Sequence, residues 1–166
     1  MIVEITVSSK VYCQQKEVKN IYQLQSIFIY NFAKLVGWPT EELQGDFVIT
    51  IYGNTPLVED LVLLSKSKKV EKLTIVIKKA NSLQSLTKCH ILFVSKNAMD
   101  DFDLIKEKVG YQNTLIVTEY EGALKKGAAI NFVLQNNRQR FEVSEYNAKK
   151  YGLIIGSELL KLSVNK

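Results

Sequence analysis

The sequence predicts an α/β fold, a single-domain three-layer α/β/α sandwich with a mostly parallel central sheet, a C-terminal β-hairpin and short C-terminal helices. Three observations carry this. Short runs rich in β-branched and aromatic residues are continuously apolar, as strands buried on both faces are. Helical-period segments separate these runs, which gives the crossovers that parallel strands require. The last two runs flank Asn136-Asn137 with no room for a helix, so they form a hairpin.

Taken in order, Met1 to Val7 alternate like a strand, yet Ser8, Ser9 and Lys10 follow without a clean turn. As a secretory signal this segment lacks a basic start, and Glu4 and Lys10 break the apolar stretch that export needs. A start further upstream would make residues 3–12 the tail of a signal peptide cleaved near Cys13-Gln14-Gln15; at face value the chain is cytoplasmic. Residues 1–15 are therefore expected to be a signal-peptide remnant or a disordered N-terminus, ahead of one domain over 16–166. Ile21, Leu24, Ile27, Phe28, Phe32, Leu35 and Val36 recur at helical spacing and predict a helix over 18–36. Gly37 and Pro39 stop it, with Trp38 as a core plug at the corner.

Residues 47–52 read as a strand ending at Gly53, and 73–77 as a second, with the helical pattern Leu57, Val58, Leu61, Val62, Leu64 between them. Residues 89–94 and 114–118 are further strands, separated by a helix over 99–109. The hairpin takes 128–134 and 138–143. Two short helices follow, 145–151 ending at Gly152, and 157–162 with Ser157 as N-cap. No internal repeat, low-complexity tract or linker interrupts the chain.

Composition narrows the function. A chain of 166 residues buries roughly 70% of its unfolded surface and needs no disulfide or metal to hold a core. One His and two Cys, without C-x-x-C or H-x-x-x-H spacing, exclude the usual structural zinc sites. No window approaches the run of about 20 apolar residues that a membrane helix needs, so no direct membrane insertion is expected. The net charge of +5 raises a nucleic-acid reading. The lysines, however, fall in short separate groups without interleaved aromatics, the pattern of solvated turns rather than of a stacking platform.

Catalytic motifs are absent at the positions that matter. Gly122 to Gly127 has the glycine spacing of a P-loop, but Ala128 and Ala129 stand where Lys and Ser or Thr would hold phosphate and magnesium. A plain loop is expected, with Gly127 supplying a special backbone angle. Cys89 and His90 are adjacent on a strand and point to opposite faces, so they form no dyad. Glu41, Glu42, Asp100, Asp101 and Asp103 sit at helix starts, where the helix dipole accounts for them. The S-x-x-K spacings at Ser65, Ser85 and Ser163 lack their partner motifs. A binding or regulatory domain is expected, with no catalytic residues, cofactor or metal. Arg138, Arg140 and Glu142 share one strand face, opposite Gln139, Phe141 and Val143; the row is salt-bridged, partner-facing or an ordinary polar outer face.

Several residue groups occur in the order of one family. The run "IYNFAKLVGWP" at 29–39 resembles the first helix, ending in Trp-Pro, of the YfiR family of small bacterial periplasmic proteins. "FVITIYGNTPLVEDL" resembles its first strand, glycine turn and helix, and Cys89-His90-Ile91-Leu92-Phe93-Val94 its Cys-His-Ile-Leu-Phe strand. "GAAINFVLQNNRQRFEVSEYNAKKYGLIIGSELLKLS" is similar to its C-terminal signature. On this resemblance Trp38, Pro39, Gly53, Cys89, His90, Gly127, Phe141, Gly152, Leu153, Leu159 and Leu160 are structural signature residues, and Arg138, Arg140 and Glu142 are candidate partner contacts.

The resemblance implies a non-catalytic periplasmic regulator, dimeric or partner-bound. It would bind the extracytoplasmic domain of a membrane-anchored diguanylate cyclase or sensor kinase and so control cyclic di-GMP and biofilm formation. Three departures stand out. Better-known members carry two disulfides, whereas this chain has only Cys13 and Cys89, and the strand facing Cys89 reads Val48-Ile49-Thr50-Ile51. Redox gating by the same bridges is not carried over, and an unpaired buried Cys89 is expected. Gly127-Ala128 replaces a glycine pair, and Ser144 replaces an Asn. The competing class is a small-ligand sensor or enzyme with its site at the C-terminal strand ends, near Gly53-Asn54 and Thr118-Glu119. Nucleic-acid binding ranks last.

Overall fold

The computed structural model describes residues 6–110 and 112–164, with side chains from residue 21 onward. The strand-like alternation of Met1 to Val7 lies mostly outside the described residues, as does the side chain of Cys13. The first helix, α1 (Thr6–Leu35), begins well before residue 18. Residues 14–20 are mainly Gln, Lys and Glu, good helix formers without an apolar stripe, so no periodicity marks this stretch. From Ile21 on, the stripe turns largely to the core, with Ile29 and Phe32 wholly buried, but Leu24 and Ile27, expected on it, stay exposed.

A seven-stranded sheet forms the centre. Its strands are β2 (Phe47–Tyr52), β3 (Lys69–Val70), β4 (Leu73–Ala80), β5 (Ile91–Val94), β6 (Leu115–Thr118), β7 (Ile130–Gln135) and β8 (Arg138–Val143), in the spatial order β3-β4-β2-β5-β6-β7-β8. The inner five strands pair in parallel, and β3 and β8 add antiparallel edges. Order β4-β2-β5-β6-β7 is the doubly wound arrangement in which the chain moves first one way and then the other from β2. Crossovers run through α2 (Leu57–Ser65), a 3-10 turn leading into α3 (Phe102–Val109), and α4 (Ala123–Lys126). Every residue of β5 and β6 is buried, which is why these strands read as unbroken apolar runs.

The hairpin is as the turn chemistry requires: Asn136 and Asn137 have φ of 52° and 58°, the left-handed pair of a type I′ turn. After it come α5 (Glu145–Lys150), β9 (Ile154–Ile155) and α6 (Ser157–Leu162). Strand β9 pairs antiparallel with β1 (Val36–Gly37), which ties the end of α1 to the C-terminus. These two-residue strands, together with β3, are too short to show a period.

Two local readings are corrected. Ser157 is the first helical residue of α6, and Gly156 is its N-cap. A Cβ at Gly156 would run into the Leu35 carbonyl, which accepts the Gly156 N–H at 3.1 Å, so the bare backbone takes the cap position. The segment before Gly127 is not a plain loop but contains the one-turn helix α4, closed by Gly127 with φ of 116°. Ser144, at the position where the resemblance leads one to expect Asn, caps α5: its Oγ accepts the Asn147 N–H at 3.2 Å, a role Asn performs equally well.

Candidate functional site

The residues named from the sequence divide between the two ends of the sheet. At the amino ends of the strands, Trp38 Nε1 donates to the Ala33 carbonyl at 2.9 Å and so satisfies one of the last carbonyls of α1. The indole meets Phe47 edge-on at 5.3 Å, and Phe47 stacks on His90 at 4.3 Å. His90 Nδ1 accepts the Val48 N–H at 3.0 Å, which leaves the hydrogen on Nε2 to be donated to the Glu42 carbonyl at 2.6 Å. Both ring nitrogens are thereby committed to backbone.

Burial pushes the Cys89 thiol up to about 11, and Thr50 lies beside it where the strand carries no second cysteine. A thiol so held is a poor nucleophile. Glu42, read as an exposed helix-start carboxylate, is largely covered instead. Burial raises its pKa, but hydrogen bonds from Lys88 at 2.7 Å and Asn113 at 3.0 Å outweigh this and hold it below the ordinary value. The other residues that the resemblance marks as structural are also packing points. Phe141, Leu153 and Leu159 are buried, Leu160 packs on the core and Pro39 precedes a 3-10 turn. Gly152 has φ of 78°, with no space for a Cβ beside Asn113.

The carboxyl ends look different. Here the β7–β8 hairpin projects past the sheet and α1 packs across it, with Phe28 and Phe32 meeting Phe141 at 5.3 and 4.9 Å. Beyond this aromatic contact α1 and the hairpin part to form a groove of about 740 Å³. Its walls are Ile21, Leu24 and Phe28 on one side and Leu134, Arg138 and Arg140 on the other. Strand β8 alternates exposed and buried residues, so Arg138 and Arg140 point outward as expected, with Glu142 half-buried on the same face. Among the described residues none of the three forms an ion pair, so the row is not salt-bridged to itself.

Next to the groove, Gly53 turns with φ of 92°, so tightly against Ser95 that no side chain fits. That turn places Asn54 and Thr55 beside Tyr22, Lys96 and Glu119 in a second opening of about 570 Å³. Burial raises the Glu119 carboxyl above its usual range, against hydrogen bonds from Gln25 and from the Lys96 N–H. Burial and the Glu119 charge likewise push the Tyr22 phenol up. Gln25 went unremarked in the sequence, yet a signal was there: it sits four residues from both Ile21 and Ile29, squarely on an apolar stripe.

Among the described residues no cluster of His, Cys, Asp and Glu could hold a metal ion, and no helix is long and apolar enough to cross a membrane. No curated protein matches the chain. A model of the YfiR/HmsC-like family matches residues 22–164, which takes in α1 from Tyr22, the whole sheet and the C-terminal helices. The chain therefore belongs to the YfiR/HmsC-like family, a family of regulatory proteins.

Proposed function

We propose that the protein is a non-catalytic periplasmic regulator that binds the extracytoplasmic domain of a membrane-anchored diguanylate cyclase, or of a sensor kinase, and controls its activity. Family membership over residues 22–164 carries this reading. The groove between α1 and the hairpin supplies the surface: Ile21 and exposed Leu24 offer apolar area, and Arg138 and Arg140 offer two guanidinium groups that have no ion pair among the described residues. An apolar centre with arginine at its margin is the composition of a protein-binding patch. Its counterpart on the partner is an acidic surface with an apolar residue to fill the groove. The packed end contributes rigidity and no chemistry.

The test combines compartment and output. Cells carrying the gene at its native locus are fractionated, and cyclic di-GMP is measured in the wild type, in a deletion and in a deletion restored with Arg140→Glu. The reading expects a periplasmic product, a changed cyclic di-GMP level on deletion, and failure of the folded Arg140→Glu protein to restore it. A cytoplasmic product would sink the mechanism, and full restoration by Arg140→Glu would remove the contact assignment.

A further inference from the structure

Strand β7 outruns its neighbour. Thr118, the last residue of β6, pairs with Asn131, so residues 132–135 of β7 extend beyond it with no strand on that side. The gap between this free edge, α1 and the loop after β6 is a crevice of about 590 Å³, within the range of pockets that enclose small metabolites. It lies outside the carboxyl ends of a doubly wound sheet, where such folds place their ligands.

Two buried amide side chains at its wall each lack one partner among the described residues. Asn131 is 1% exposed; its Oδ1 accepts from Thr118 Oγ1 at 2.7 Å and from the Tyr120 N–H at 3.0 Å, while its Nδ2 has no partner. Gln25 is 2% exposed; its Nε2 donates to Gln139 Oε1 at 3.2 Å and to Glu119 Oε2 at 3.4 Å, while its Oε1 has no partner. Rotating either amide does not help. A turned Asn131 would set its amino group against the Tyr120 N–H, and a turned Gln25 would set oxygen against oxygen. A buried polar group left unpaired is costly, so an orphan donor and an orphan acceptor at the wall of one cavity point to something that fills it.

The charge of the lining narrows what that is. Among the described residues Glu119, Glu121 and Glu142 line the crevice with Lys96 as the one ammonium, an acidic surface that repels phosphates and other anions. The occupant must give a hydrogen bond to Gln25 Oε1 and Glu119, and accept one from Asn131 Nδ2.

We propose that this crevice binds a small organic cation in which a primary ammonium stands beside a hydroxyl or carbonyl, as in an amino alcohol or amino sugar. The ammonium donates to the Glu119 carboxylate; a small outward turn of the two amides, whose orphan atoms have no open surface of their own, lets it donate also to Gln25 Oε1 and lets the ligand oxygen accept from Asn131 Nδ2. This assignment does not depend on the partner reading, although Gln139 and Leu134 line both the crevice and the partner groove.

Ethanolamine and glucosamine are the probes, with ethylene glycol and glucose as the ammonium-free controls, titrated into the full chain and followed in proton–nitrogen correlation spectra. The expected result is saturable movement of the Asn131 and Gln25 side-chain amide signals with at least one amine, none with the controls, and binding weakened about tenfold or more by Glu119→Gln. No saturation with either amine up to about 10 mM, equal response to the neutral controls, or undiminished binding by Glu119→Gln would each overturn the proposal. Should Glu119→Gln not fold, the side-chain amide signals of the unmodified protein decide on their own.

Discussion

The two ends of the central sheet are built on opposite principles. At the amino end Trp38, Phe47, His90, Glu42, Lys88 and Asn113 form a closed set in which side-chain polar groups find partners. The Thr114 hydroxyl completes it by donating to the Cys89 carbonyl at 2.7 Å. At the carboxyl end Gln25 and Asn131 are short of partners among the described residues, Glu119 is held in an environment that resists its charge, and openings lie between α1, the hairpin and the loops. Most of the residues that the resemblance marks as structural gather at the first end, with Gly53 at the second, where the less satisfied polar groups lie. A residue that stands out in a sequence, such as the adjacent Cys89 and His90, is therefore not by that token a functional one.

The sharpest break of this contrast is His90→Ala. It strands the Val48 N–H and the Glu42 carbonyl and removes the stack on Phe47, at an expected cost of about 3 kcal/mol in urea unfolding. A loss below about 1 kcal/mol would mean that water or a neighbour replaces the ring, and that the amino end is not closed.

Cys89 sharpens the same point kinetically. With its thiol raised to about 11, alkylation of Cys89 in the native protein near pH 8, followed by peptide mass spectrometry, should be at least about a hundredfold slower than in urea. The sign of the stability term follows. Folding favours the protonated thiol, so its contribution is complete below the unfolded thiol's value of about 8.5 and is lost as pH rises through about 11.

Glu119 gives a smaller effect at the other end. Its folded pKa is raised, so the folded state holds the proton more tightly than the unfolded one. The stabilisation is full below the ordinary carboxylate value of about 4.3 and is lost as pH rises through the folded value. Glu119→Gln should match the unmodified protein near about pH 4 and exceed it in stability near about pH 8, as chemical denaturation at the two pH values would show. A difference independent of pH would contradict the assignment. Smallest of all, Arg140→Glu should change stability by no more than about 0.5 kcal/mol, because Arg140 is exposed and unpaired among the described residues.

Much of the fold was legible because burial wrote it in periods. Residues 47–52 form β2 as read, and Asn136-Asn137 announced the hairpin through turn chemistry. Strands β1, β3 and β9 were not legible, since two residues hold no period, and neither was the first part of α1, a polar stretch whose helicity leaves no stripe. Of the site, the outward row of Arg138 and Arg140 followed from strand alternation. Gln25 and Asn131 escaped because a polar residue in an apolar run reads as surface until the structure shows it buried. Near Gly53-Asn54 and Thr118-Glu119, where the competing reading puts a ligand site, the structure has openings lined by Asn54 and Glu119.

The central claim, that a membrane partner docks in the groove between α1 and the hairpin, is tested most directly by site-specific photocrosslinking in living cells. The photoreactive residue is placed at Leu24 or Arg140 in the groove and, as a control, at exposed Leu104, one of the residues of α3. The account predicts that both groove positions capture one and the same membrane-anchored diguanylate cyclase or sensor kinase and that Leu104 does not. Capture from Leu104 alone, or of no such membrane protein from either groove position, would contradict it.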